Sequence, residues 1–97
     1  MHARVITHRV REGNLDRVIQ VISESIEPAA RRQPGFVAFV LMSDRNAGHV
    51  VSTSYWDTDT DMLASENAEY LQEQISRLII YLSGPPVIEH YGVDLMS

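Results

Sequence analysis

No cysteine and no lysine occur among the 97 residues. The first absence excludes thiolate catalysis, iron–sulfur ligation and disulfides. It fits a reducing cytoplasm, the compartment expected here. The second excludes Schiff-base chemistry and a phosphate-loop lysine, because all eight basic side chains are arginine. Positive charge is scarce as well. The net charge is −5 and no basic cluster is evident, so neither nucleic acid nor an anionic membrane is expected as a partner. No apolar run approaches the roughly 18 residues of a membrane helix. The opening MHARVITHRVRE lacks the apolar segment of a secretory signal. The four histidines make no H-E-x-x-H or related spacing, and neither G-x-S-x-G nor a glycine-rich phosphate loop is present. Asp57, Asp59 and Asp61 imitate the start of an EF-hand loop. Its sixth position should be Gly and is Met62, and its twelfth should be Glu and is Ala68. Calcium is therefore rejected, no metal is expected, and helix capping accounts for the acids.

What is present centres on Pro34 to Asp57, which reads as two strands joined by a polar loop. Phe36 to Ser43 is apolar at almost every position, the pattern of a strand covered on both faces. His49 to Trp56 differs. Ser52 and Ser54 share a parity with Val50 and with Trp56, the only tryptophan, and small hydroxyls beside a large ring suit a cavity wall as well as a packed core. Asp44 to Gly48 supplies the turn residues of a hairpin.

The remaining elements fall around this pair. Ala3 to Val10 reads as a first strand. Asn14 is a candidate N-cap for a helix whose apolar face is Leu15, Val18, Ile19, Ile22, Ile26 and Ala29, with Pro28 predicting a kink or a looser last turn and Pro34 the end. Thr58 is placed to cap a second helical region, with Asp61 three residues on. Met62, Leu63, Tyr70, Leu71, Ile75, Leu78, Ile79 and Leu82 mark its buried side, Ser65-Glu66-Asn67 its interruption and Gly84-Pro85-Pro86 its stop. A last strand, Val87 to Leu95, follows. The length predicts one domain over residues 1–97. The order β-α-β-β-α-β predicts an α+β, ferredoxin-like plan, a four-stranded antiparallel sheet with helices on one face. Val37, Phe39 and Leu41, or their alternate set, are then left facing outward. The expected cover is a second copy of the chain, sheet against sheet.

The Pro34-Gly35-Phe36 strand start, the Trp56-Asp57 strand end, the helix beyond it and the Gly84-Pro85-Pro86 exit, taken in order, resemble the antibiotic biosynthesis monooxygenase-like proteins over nearly the whole chain. The resemblance implies a dimeric α+β barrel with a pocket between sheet and helices in each subunit. Characterised members of that family include cofactor-independent oxygenases of anthrones and quinols, and haem-degrading enzymes. In the anthrone oxidisers the Trp ending the third strand belongs to the site, and Trp56 matches it. Their Asn four residues earlier is Ser52 here, their helix Tyr falls at Met62, and their Arg falls near Ser76. The haem degraders' Asn, Trp and His fall near Ile6, Ala64 and Gln74, so a haem site of that kind is not expected.

Candidate site residues follow from chemistry and from the resemblance together. Trp56 is the candidate wall, with strand packing as the plainer reading. His8 and His90 lie where the first and last strands pair. They are the candidate bases, since neutral imidazole takes a proton near pH 7; the plainer reading is two half-exposed strand histidines. Ser52, Ser54, Asn67 and Tyr70 are candidate substrate contacts, although Asn67 also suits a cap and Tyr70 a core. The resulting expectation is a homodimer that oxygenates a small aromatic, quinol or polyketide-like ligand with no cofactor. A non-catalytic binding dimer and an isomerase or cyclase on the same scaffold are the alternatives.

Overall fold

A computed structural model describes the backbone of residues 1–97 and every side chain except that of Tyr70, a candidate contact that therefore lies outside the described side chains. Strand β1 (His2–Arg9) leads into α1 (Leu15–Val21), a π turn (Ile22–Ile26) and α2 (Glu27–Arg31). The hairpin β2 (Phe36–Asp44) and β3 (His49–Trp56) follows, then α3 (Asp59–Asn67), α4 (Glu69–Leu78), a 3₁₀ turn (Ile79–Tyr81) and β4 (Val87–Gly92). The strands form one antiparallel sheet in the order β2-β3-β1-β4, the ferredoxin-like arrangement.

The first helical run shows why Pro28 is tolerated. Its buried residues are Val18, Ile22, Ile26 and Ala30, each four apart. At 3.6 residues per turn, steps of four drift by roughly 40° each, and such a stripe would wind off the core. The π turn widens the coil and brings the stripe back. There the Glu27 N–H reaches the Ile22 carbonyl, five residues earlier. Pro28, which has no N–H to offer, then falls in the first turn of α2, where none is needed. Asn14 holds the N-cap position without a side-chain bond to the helix. Thr58 does cap α3, its Oγ1 accepting the Asp61 N–H at 3.0 Å.

Register decides what each strand shows to the helices. Arg4, Ile6 and His8 of β1 stand opposite Ser54, Ser52 and Val50 of β3. All six are buried beneath the helices. On β2, Phe39 and Leu41 are opposite Ser54 and Ser52 and pack against the apolar core of Val18, Ile22, Ile26, Val50, Leu78 and Leu82. Phe39 and Leu41 therefore belong to the core, and the alternate set faces outward. A bulge between Phe36 and Ala38 sets this parity. Val40 and Met42 are exposed, Met42 at 52%, and share the open face with Val51, Tyr55, Val87 and Tyr91. The helix side of β2 is thus covered as expected, and its other side is the face on which a second copy is expected.

Two junctions fix the ends of the hairpin. At Gly48 (φ +73°) the N–H reaches the Asp44 carbonyl at 2.9 Å, and the Gly48 carbonyl accepts the Val10 N–H. At the other end Gly35 (φ +78°) accepts the Asp57 N–H at 2.8 Å and lies so close to the Asp61 carboxylate that a β-carbon has no room. This ties the Pro34-Gly35-Phe36 strand start to the first turn of α3. The last strand stops at Gly92, short of the expected Leu95, which is 87% exposed.

Candidate functional site

The layer between sheet and helices holds more polar side chains than a small core ordinarily does: Arg4, His8, Ser52, Ser54, Ser65 and Gln74 are all buried there. Trp56 closes one end of it. Its ring meets Phe36 edge-on at 5.7 Å between centroids, and its indole N–H donates to Ser54 Oγ at 2.9 Å. The Arg4 guanidinium lies 5.2 Å from the Trp56 ring, a cation–π distance. Arg4 Nη1 donates to the Met62 carbonyl at 3.2 Å and to Ser65 Oγ at 2.8 Å. Ser65 Oγ donates in turn to the Met62 carbonyl at 2.7 Å. Arg4 thus fastens β1 to α3 across the ring. Sequence reasoning missed it, since an arginine on a first strand reads as solvent-facing. The one available signal was its shared parity with His8.

The opposite half of the layer is built differently. His8 is 2% exposed, its Nδ1 has no hydrogen-bond partner among the described residues, and desolvation lowers its pKa to about 4. It is neutral at pH 7. Gln74, on α4, is 8% exposed and its carboxamide oxygen is likewise unpartnered among the described residues.

The strand pairing separates two histidines that were expected to be close. His90 stands opposite Arg4, four residues along β1 from His8, or about 13 Å at the usual rise per residue. His90 Nε2 instead meets Glu66 Oε2 at 2.7 Å, joining the edge strand to the end of α3. Asn67 is exposed where α3 ends. Ala68, in an extended conformation, takes the cap position of α4, so Asn67 neither caps that helix nor turns into the layer. The layer thus gathers His8, Ser52, Ser54 and Trp56 of the expected set, adds Arg4, Ser65 and Gln74, and leaves His90 at its rim. Trp56 is fully enclosed by protein, and a cavity of about 370 Å³ lies at the far end of β3, lined by Val10, Arg11, Leu15, Arg45 and Gly48 among others.

A model of the antibiotic biosynthesis monooxygenase family matches residues 1–76. The chain belongs to that family. This antibiotic biosynthesis monooxygenase domain is similar over 99% of its length to uncharacterized proteins of Mycobacterium tuberculosis, at 25% identity, and spans 42% of their length. A monooxygenase of Streptomyces coelicolor, solved with the ligand nanaomycin D, superposes with a TM-score of 0.80 at 18% identity, over 99% of this chain and 92% of that one. A protein of unknown function from Nitrosomonas europaea superposes at 0.83 with 14% identity, over 99% and 91%. At such identities these likenesses establish the fold that the family shares. No helix is long and apolar enough to cross a membrane among the described residues.

Proposed function

We propose that this family member is a cofactor-independent monooxygenase of a small aromatic, quinol or polyketide-like substrate, working as a homodimer with one site per subunit in the sheet–helix layer. The observation that carries the reading is the buried polar layer itself, six polar side chains in a layer that Trp56 closes at one end. Family membership and the Streptomyces coelicolor monooxygenase of the same fold support it. In such chemistry the substrate supplies the electrons. A C–H proton leaves for a base, the carbanion reduces O2 as a C–O bond forms, and loss of water leaves a carbonyl. Each CH2 and O2 thus yields one C=O and one H2O. The protein has to supply a base, a dry environment and stabilisation of the developing oxyanion. His8 is neutral and fills the first role, its proton affinity rising once an anion forms beside it. Arg4, held over Trp56, places positive charge in the same layer.

Oxygen-electrode assays with an anthrone test the reading. One O2 should be consumed per substrate, and His8→Ala should slow uptake by about a hundredfold or more. Ligand binding without uptake would support the binding dimer, and product without O2 the isomerase or cyclase.

Dimerisation through the open sheet face rests on exposed Val40, Met42 and Tyr91. Light scattering should give twice the 11.0 kDa chain mass, and Val40→Glu with Met42→Glu should give the single chain mass. A wild-type chain that runs alone at micromolar concentration sinks the dimer.

A further inference from the structure

The two halves of the polar layer are not equivalent. Around Trp56 the polar groups pair with one another: the indole N–H has Ser54, and Arg4 Nη1 has Ser65 and the Met62 carbonyl. Around His8 they do not, and a buried polar atom without a partner is a liability that folded proteins rarely keep without use. His8 Nδ1 and Gln74 Oε1 are such atoms among the described residues.

The register brings them to one place. His8 pairs with Val50, and Ser52 pairs with the neighbouring Ile6, so His8 and Ser52 are diagonal neighbours on the helix-side face. Above them runs α4, whose buried positions Leu71, Gln74 and Leu78 make a single stripe. Leu78 packs in the core with Val50, His8's strand partner, and four residues on Leu82 bridges to Val10. The stripe therefore advances along β1 in the same direction as the strand. One turn back from Leu78 on that stripe, a helical rise of about 6 Å matches two residues of strand, which puts Gln74 level with the Ile6–Ser52 pair, next to His8.

We infer that Gln74 is a specificity-determining residue, which together with His8 and Ser52 holds a hydroxyl group of a neutral aromatic ligand. The inference rests on the proposed reading of the layer as a ligand site, and not on turnover there. Amide, imidazole and hydroxyl can each donate or accept and none carries charge at neutral pH, so the trio suits a neutral O–H, whose one proton goes to a free acceptor and whose oxygen receives from the others, and it supplies no charge to offset an anion. A ligand with that oxygen methylated loses the donor and leaves that acceptor unpaired.

The test uses the only tryptophan as reporter, since Trp56 lies in the same layer. Naphthalene-1,4-diol and its dimethyl ether are titrated without oxygen, following Trp56 fluorescence. The diol should bind at least about tenfold tighter than the ether, one hydrogen bond's worth of discrimination. In Gln74→Leu, and in the unbranched Gln74→Met, the preference should fall below about threefold while the urea midpoint holds or rises, because an unpaired buried amide has been removed. Equal binding of the two probes by wild type overturns the inference, as does a preference that survives both substitutions. So does a drop in urea midpoint in both, which would make Gln74 a structural residue. If the preference is found and lost as expected but admitting air brings no oxygen uptake, the monooxygenase proposal fails and the role of Gln74 stands.

Discussion

Arg4→Ala should lower stability by about 3 kcal/mol, the combined loss of two charge-assisted hydrogen bonds and of packing beside Trp56. A domain this small has some 5–15 kcal/mol in all, so the melting temperature should fall by more than about 10 °C. The loss is this large because Arg4 is 2% exposed and joins three things at once: β1, the Met62–Ser65 turn of α3 and the indole ring. Part of it is packing alone, which Arg4→Met isolates by keeping the length of the side chain while discarding the charge. Buried charged groups replaced by apolar ones of similar volume often lose little, so Arg4→Met should fall by about 1 kcal/mol. Urea unfolding followed by Trp56 fluorescence reads both. Equal midpoints for wild type and Arg4→Ala would show that the clamp carries no net stability.

Acid should weaken the fold through His8 by about 3 kcal/mol. The imidazole has a pKa of about 4 in the folded protein against 6.5 when unfolded, and burial is the cause. In that interval the unfolded chain binds the proton more readily. The contribution is therefore present in full above pH 6.5 and is lost progressively as pH falls toward 4, where the difference levels off. Carboxylates titrate in the lower part of this window, so the slope has to be taken as a difference. His8→Gln, which cannot protonate, should show a shallower fall between pH 6.5 and 4.5 than wild type in urea midpoints taken at half-unit steps. Parallel curves would mean that water or a neighbour stabilises the imidazolium in place, and His8 would then be a stronger base than its burial implies.

These two residues also mark where a one-dimensional reading reaches its limit. The order of elements was legible because apolar periodicity, Thr58, Pro34 and Gly84-Pro85-Pro86 are local signals that act within a few residues. Pro28 was legible as a disturbance, but the chain absorbs it upstream, in a turn whose width follows from keeping Val18, Ile22, Ile26 and Ala30 on one side. The polar layer was half legible. Ser52, Ser54 and Trp56 lie on one strand, so parity alone groups them. Arg4 and Gln74 come from other elements, and only the offset between strands and the path of α4 bring them in. The expected closeness of His8 and His90 failed for the same reason. Topology makes β1 and β4 neighbours but leaves their sliding position open, and a shift of two residues preserves every facing. Asn67 was lost to the extended residue Ala68, a single backbone torsion with no compositional mark.

The wide turn at Ile22–Ile26 amounts to one surplus residue stored within a helix. A relative that lacks that residue could run as a regular coil across the same span and still deliver β2 to its place beside β3. Length variation within this fold thus has a natural reservoir outside the hairpin, where a gain or loss would displace Trp56 from the ring of groups that hold it.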